Sequence, residues 1–577
     1  MKLTGSEIFM KSLQAEGVTT AFGHPGGVIL HAYDVMLDYP MQHILCRHEQ
    51  GAAHAAEGYY KASGRTGTCI VTSGPGATNT VTGLTDAFMD SMSVVCFTGQ
   101  VPTAVMGCDA FQEADMVGTV RSCTKHNVLV QKAEEMPRII KEAYYVSRSG
   151  RPGPVQVDLP KDIMMGRAEF TGYPESVRLR GYNPSIHGHP GQIRKAAELI
   201  ANARRPFIYG GGGIVHSDGS AEFTELVNLI KAPTTLTLMA LGSLDTSHPL
   251  WVGMPGMHGT VTANMGMIHC DVLIAVGPRF DDRVTGKLSE FGKNCKIIHI
   301  DIDPTSIRKN VHVDVPIVGD VRLVLRELNK ELRKIKRDWA QDQAEWYGQI
   351  ADWQAAHPLR YDQRPDGAIK PQHAIEHIYR ITQEMDPIIA TGVGQHQMWA
   401  GQYYRGRHPR RWITSGGLGT MGFGFPAAMG AQAAFPDKLV INIDGDGCFQ
   451  MTCQELVTCV QYNLPVKTFL MNNRYLGMVR QWQELFYKGR YSAVDLSVQP
   501  DFVKLADAYG AAGLRVERPA ELPAAIEKAI ATPGPVVVDI VTEREENCFP
   551  MIPAGAAIKD IIDAGQPVSD ALFQGWR

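Results

Sequence analysis

Short runs rich in Val, Ile and Leu alternate along the chain with longer amphipathic stretches, and glycine-rich turns separate them. Ten such runs read as strands buried on both faces, at 68–74, 93–99, 154–160, 205–212, 271–277, 296–303, 387–394, 438–447, 466–473 and 535–541. Strands that alternate with helical patterns make βαβ units. The expected fold class is therefore α/β, with doubly wound, mostly parallel sheets. The runs fall into three groups, which predict domains at 1–172, 190–345 and 369–548. A Pro/Gly/Tyr-rich connector separates the first two, and a polar linker around 357–368 precedes the third. Residues 549–577 hold Pro550, Pro553 and Gly555 and read as a tail packed over the active site. Residues 1–17 predict an amphipathic first helix, and the charge-rich stretch 327–349 a solvated one.

Composition narrows the class further. A chain of 577 residues can hold three or four domains, each with its own core. Apolar residues at 44% and charged residues at 20% fit an ordinary globular protein. Lys+Arg 56 against Asp+Glu 60 leaves a net charge of −4, which gives no reason to expect nucleic acid or an anionic membrane as partner. The 11 cysteines are scattered from Cys46 to Cys548 with no C-x-x-C pair, so neither a zinc site nor a disulfide framework is expected. A reducing cytoplasm is the natural compartment. The first helix lacks the apolar core of a signal peptide, and no run of 18 apolar residues predicts a membrane span.

The strongest chemical signal lies in the third group. The strand LVINID opens into Gly445-Asp446-Gly447, and a second strand ends in Asn472-Asn473, placing Asp446 and Asn473 27 positions apart. A carboxylate and an amide oxygen at two strand ends are hard ligands suited to a Mg²⁺ that also holds phosphate oxygens. Alone, an Asp-Gly pair is a common turn. Gly394-Gln395-His396 follows another strand, and the segment from Ser415 to Gly422 opens a helix. Such glycine turns let backbone N–H groups approach an anion, or simply let helix and sheet pack closely. Glu49 stands between a short apolar run and a small-residue helix, where an isolated Glu is ordinarily a solvated or capping residue. In the second group a run of glycines, 210–213, follows a strand, and Asp301 ends another, which suits a dinucleotide.

The spacing of Gly445-Asp446-Gly447 and Asn472-Asn473 resembles the diphosphate-binding motif of thiamin-diphosphate enzymes. Longer segments resemble acetohydroxyacid synthase catalytic subunits: 107–113, 124–127, 149–163, 256–260, 277–288, 299–304, 393–399, 476–487 and 550–555, essentially the whole chain. His24 departs from many members, which have Tyr there. The resemblance implies thiamin diphosphate, Mg²⁺ and FAD as cofactors. The metal ligands would be Asp446, Asn473 and the backbone carbonyl near Tyr475. Gln395, His396, Gly445, Gly447 and Met478 would lie about the cofactor, with Gly419 and Met421 holding its aminopyrimidine. Pro25, Gly26, Gly27, Gly76 and Asn79 belong to the glycine turns of the first domain, and Glu49 would face the pyrimidine ring nitrogen. FAD contacts would come from Arg151, Gly211, Gly212, Met257, His258, Arg279, Asp301 and Asp320, with FAD serving structure and no net redox step. Arg283 would anchor the second acid's carboxylate, Gln112 would contact the reacting intermediate, and Lys161 and Trp482 would line the channel. For Lys161 and Arg283 the bland reading is a salt bridge near the surface, and for Trp482 a core aromatic.

The implied reaction decarboxylates pyruvate on thiamin diphosphate and joins the two-carbon unit to a second 2-keto acid, pyruvate or 2-ketobutyrate. The products, 2-acetolactate and 2-aceto-2-hydroxybutyrate, precede the branched-chain amino acids. A homodimer would be the minimal active unit, with a dimer of dimers and a small regulatory subunit as further options. Glyoxylate carboligase is the nearest enzymatic rival, but it characteristically lacks the carboxylate that Glu49 supplies. A FAD-free catabolic acetolactate synthase is disfavoured by segments 256–260 and 279–283. An inactive paralogue acting as a binding subunit is disfavoured by Glu49, Asp446 and Asn473.

Overall fold

The computed structural model describes residues 1–564 and 566–568. Three parallel sheets follow one another along the chain. The first contains β1 (Thr20–His24), β2 (Gln42–Leu45), β3 (Gly67–Val71), β4 (Val94–Gln100), β5 (His126–Leu129) and β6 (Val155–Pro160), in the order β2-β1-β3-β4-β6-β5. The second contains β7 (Pro206–Gly210), β8 (Thr234–Leu236), β9 (Val272–Val276), β10 (Lys296–Asp301) and β11 (Val315–Val318), in the order β8-β7-β9-β10-β11. The third contains β12 (Ile388–Thr391), β13 (Trp412–Ile413), β14 (Val440–Gly445), β15 (Lys467–Asn472), β16 (Ala512–Val516) and β17 (Val536–Val541), in the order β13-β12-β14-β15-β17-β16. The first and third sheets thus share one topology. Their interior strands are buried along their whole length, as β3, β4, β14 and β15 show, because helices cover both faces.

Where the first and third units meet, helix α1 (Glu49–Ser63) lies against helix α2 (Gly424–Ala434). The seam is built from Ala52, Ala55, Ala56, Ala427, Ala428 and Ala431, all buried in one core. A Cβ on Gly58 would collide with the Ala427 carbonyl, and one on Gly430 with the Ala55 carbonyl, so these two glycines set how closely the helices approach.

The first helix runs Gly5–Ala15, with Thr4 and Glu7 forming a capping box. The charge-rich stretch divides. Helix Val321–Leu332 buries Val324, Leu325 and Leu328 and turns its charges outward, as expected of a solvated face. Helix Ala344–Ala356 instead buries Trp346 and Trp353, the first edge-on to Phe207 of β7, so this half closes the face of the second sheet. Its apolar contributors are widely spaced tryptophans, which charge density conceals. The tail packs on the same unit: Ile552, Ile558 and Ile561 join its core, and Lys287 N–H donates to the Ala556 carbonyl at 2.9 Å. The tail's remainder, 569–577, and residue 565 lie outside the described residues. No helix among the described residues is long and apolar enough to cross a membrane.

Candidate active site

In an open parallel sheet, side chains converge beyond the carboxyl ends of the strands, where the strand order reverses. The third sheet uses four neighbouring strands this way. β12 delivers Gly394 and helix Gln395–Tyr403. β13 delivers the turn from Ser415 to Met421. β14 delivers Asp446, and β15 delivers Asn473, Tyr475 and helix Gly477–Phe486 with Met478 and Trp482.

Asp446 is 1% exposed, and its Oδ2 has no protein hydrogen-bond partner. Burial raises this carboxyl to about 7, opposed by nearby backbone N–H groups. A shift of that size is on the order of 4 kcal/mol against the ionised form, and a divalent cation would reverse it. The Asn473 carbonyl oxygen accepts the Tyr475 N–H at 3.0 Å, and its amide donates to Gln395 Oε1 at 3.3 Å. Asp446, Asn473 and Tyr475 line one small cavity together with Gln395, His396, Gly445, Gly447, Met421 and Met478. An unpartnered buried carboxylate oxygen beside an amide oxygen suits a hard cation with phosphate oxygens.

That cavity shares Gly394, Met421 and Met478 as wall with a much larger one of about 1030 Å³. Its walls carry Arg151, Gly212, Met257, His258, Arg279, Arg283, Asp301, Asp320, Gly419 and Trp482. Most come from the carboxyl ends of the second sheet, so its glycine turn, its acidic strand end and the third sheet face a single space. Gly419 adopts φ +72°, a conformation that glycine takes without strain. Gly211 packs against Gly277 and Pro278 instead, while Gly212 and Gly213 take the wall. Asp320 also caps helix Val321–Leu332, accepting the Leu323 N–H at 3.1 Å. Arg279 pairs with Asp281, and Arg151 donates to Ser91 at 2.8 Å and pairs with Asp303 at 3.4 Å. Arg283 is 52% exposed and only 3.9 Å from Asp282, a weak pair that leaves its guanidinium on the cavity wall. Burial pulls the His258 imidazole down to about 4, so it is neutral there.

The first sheet repeats the arrangement with its own residues. Pro25–Gly27 follow β1, Glu49 follows β2, Gly76 and Asn79 follow β3, Gln112 follows β4, and Lys161 follows β6. Glu49 is the first residue of α1, is 8% exposed, and accepts the Asn79 amide at 2.9 Å. The Glu49 carboxylate lies beside Gly76, and Gln112 backs onto Gly74. None of these residues lines the large cavity. Within one chain the Glu49 cluster and the large cavity are therefore separate.

Two contributors were not singled out by the sequence. Gln397 donates to Thr414 Oγ1 at 2.7 Å and to the Ser415 carbonyl at 2.8 Å, steadying the turn that ends in Met421. The Cys448 sulfur accepts N–H bonds from Val393 at 3.3 Å and Gly422 at 3.1 Å, joining both glycine turns to the Asp446 segment. Their place in GQHQ and GDGC next to motif residues was the only available pointer.

Comparison with known proteins matches the three units in turn. The family model for the thiamine pyrophosphate enzyme N-terminal TPP binding domain matches residues 3–119, that for the central domain 193–328, and that for the C-terminal TPP binding domain 392–540. An acetolactate synthase of Mycobacterium bovis is 48% identical over 582 residues, covering 100% of this chain and 94% of the relative. The acetolactate synthase large subunit of Haemophilus influenzae is 44% identical, covering 97% and 98%. The isozyme 3 large subunit of Escherichia coli is 45% identical, with the same coverage.

Proposed function

The chain belongs to the acetolactate synthase family of thiamin-diphosphate enzymes, and from that membership we propose how its own residues divide the work. It is a thiamin-diphosphate-dependent acetolactate synthase of branched-chain amino-acid synthesis, with Mg²⁺ and FAD as the family's usual further cofactors. The observation that carries the reading is similarity along the full chain together with the buried, unpartnered Asp446 carboxylate at the third sheet's strand ends.

Asp446, Asn473 and the Tyr475 carbonyl would hold Mg²⁺, which would supply the positive charge that a diphosphate needs. Thiamin diphosphate, when bound, supplies the electron sink that lets a 2-keto acid lose CO₂. Gly419 and Met421 seat its pyrimidine. Glu49 holds a proton against the pyrimidine ring from a water-poor position. Arg283 presents its guanidinium to the second acid's carboxylate, and Trp482 covers that acid's alkyl group. Arg151, Arg279 and Asp301 would hold FAD, which would serve structure and take no part in electron transfer. Gln112 and Lys161 act from the first sheet.

The separation of Glu49, Gln112 and Lys161 from the cavity supports a site completed by a second copy, with a homodimer as the minimal active unit. The relatives' designation as large subunits supports a smaller regulatory partner. All 11 cysteines are free, which supports a reducing compartment such as the cytoplasm.

Purified protein with thiamin diphosphate, Mg²⁺ and FAD is expected to form 2-acetolactate from pyruvate, and 2-aceto-2-hydroxybutyrate as well once 2-ketobutyrate is added. Condensation of glyoxylate without either product would overturn this reading.

A further inference from the structure

The closest approach of α1 and α2 is lined by Ala and Gly, yet four carboxylates are buried about it: Glu57 on α1 itself, 2.8 Å from His54, and Glu455, Asp86 and Asp90 around it. Glu455, 0% exposed, belongs to the third unit. It accepts the Arg47 N–H at 2.9 and 3.0 Å, the His48 N–H at 2.9 Å and the Thr458 hydroxyl at 2.9 Å. Those two amides immediately precede Glu49. The reverse contact comes from helix Val81–Met89 of the first unit and the residue after it. Asp90 accepts the Gly416 N–H at 3.0 Å and the Gly417 N–H at 2.6 Å. Asp86, 0% exposed, accepts the hydroxyls of Ser415 at 2.6 Å and Thr420 at 3.1 Å. Ser415 Oγ in turn accepts the Gly419 N–H at 3.0 Å and the Thr420 N–H at 2.9 Å. Lys61 Nζ donates to the Thr414 carbonyl at 2.5 Å and lies 3.9 Å from Asp90.

Burying a carboxylate is costly even when it is hydrogen-bonded, and small apolar side chains would hold the two helices together at less cost. Glu455 and Asp86 do touch helix α1, at Gly51 and beside His54 and Glu57. A side chain that only glued the seam would stop there, but Glu455 and Asp90 also bond free backbone N–H groups of two irregular segments, and Asp86 bonds the hydroxyls beside them, where no sheet ladder or helix can fix the conformation. One segment leads to Glu49, and the other to Gly419 and Met421.

We propose that Glu455 on one side, and Asp86 with Asp90 on the other, are positioning residues that fix from across the domain seam the backbone on which Glu49 and Met421 stand. The inference rests on the reading above that Glu49 and Met421 face thiamin diphosphate. Each unit thereby sets the other unit's half-site, so the two halves are not independently adjustable.

The test compares Glu455→Gln and Asp90→Asn with Glu16→Gln in the cofactor-loaded full-length enzyme. Glu16 is likewise a buried carboxylate, but its partners Lys141, Arg148 and Tyr173 all lie on its own side of the seam, far along the chain from the turns. Three quantities are read: the thiamin-diphosphate dissociation constant by fluorescence titration, kcat, and the near-ultraviolet circular dichroism of the bound cofactor. Glu455→Gln is expected to lower kcat about tenfold or more, the scale of one charge-assisted hydrogen bond, with little change in cofactor affinity. Asp90→Asn is expected to weaken cofactor binding by about the same factor and to alter the dichroism. Glu455→Asp, which keeps the charge, replaces Glu455→Gln if that variant does not fold, and is expected to lower kcat in part. Wild-type kcat and affinity in the seam variants, or equal losses in Glu16→Gln, would overturn the proposal. Glu49→Gln, run in parallel, separates the two levels. If it retains full turnover, the underlying reading falls and this one with it; if it alone is impaired, only the positioning role falls.

Discussion

Glu49 and Trp482 illustrate how far single side chains can be assigned from their surroundings. Glu49 has one oxygen on the Asn79 amide and Gly76 beside the other, in a position shielded from water. Replacement by Gln preserves the size and removes the carboxylate to which we assign the proton-holding role. Turnover of Glu49→Gln should drop about 10²-fold or more, with cofactor affinity much less affected; unchanged turnover at saturating cofactor would remove the role. Trp482 is only part-buried and lines the large cavity, which is unlike a packed core aromatic. Pyruvate and 2-ketobutyrate differ by one methylene, worth about 0.8 kcal/mol on burial. Trp482→Leu should therefore reduce the preference for 2-ketobutyrate by about 1–2 kcal/mol while stability changes little. A competition assay scoring the two acetohydroxyacids checks this, and an unchanged ratio in a destabilised variant would reject the specificity role. Residues in contiguous motifs were readable from the chain alone, but Glu455 was not. It lies 408 positions from the Arg47 amide it holds and looks like any helical Glu.

Among elements, length and burial together decided what the pattern revealed: β8 and β13 are buried but only 3 and 2 residues long. The ten interior-looking runs all became strands, whereas the six edge strands of the three parallel sheets, such as β2, β5, β13 and β16, left no clear signature. Interior strands need apolar residues on both faces, but an edge strand such as β5, HNVL, is half-solvated and short. β1 was hidden for another reason. Its Thr20, Gly23 and His24 break the apolar run, and Gly23 is required because a Cβ would strike the Ile70 carbonyl of β3. The α1–α2 seam gives a stability prediction of its own. Gly430→Ala should destabilise by about 3 kcal/mol or more, since the obstacle is backbone, whereas Gly348→Ala, on the exposed face of helix Ala344–Ala356 with open space around it, should stabilise by about 0.5–1 kcal/mol. Denaturant titration of both variants measures the contrast. Lys467 in β15 donates to the Thr532 and Gly534 carbonyls at 2.6 Å, and burial pulls its ammonium down to about 8 from 10.5. Between those values the unfolded chain binds a proton that the folded chain lacks, so stability should rise with pH there, by at most about 1.4 kcal/mol per unit. Below the folded value both states are charged and the dependence vanishes. Lys467→Met should flatten the rise, and equal slopes in the two proteins would show that Lys467 does not titrate in this window.

Across the whole molecule, the repeated topology of the first and third sheets means that each presents its turns at the carboxyl ends of strands in the same order. One presents Glu49 and the other Asp446, but within one chain the Glu49 cluster lies outside the cavity that holds the Met421 and Met478 side. If a partner's Glu49 cluster completes each cavity, two-fold symmetry produces two sites per dimer, each drawing its halves from different chains. This arrangement makes an unusual demand on mixed dimers. A chain carrying Glu49→Gln and a chain carrying Asp446→Ala are each inactive as homodimers, because every site has one broken half. In a hybrid, one site collects both broken halves and the other collects both intact ones. Random one-to-one pairing makes about half of the dimers hybrid, each with one working site, so about a quarter of wild-type activity should return. Co-expression of the two chains, followed by measurement of acetolactate formation, gives the result directly. If Glu49 and Asp446 instead served the same cofactor within one chain, no pairing could reunite two intact halves. Activity would then stay at the level of the separate variants, and the two-chain site would be wrong.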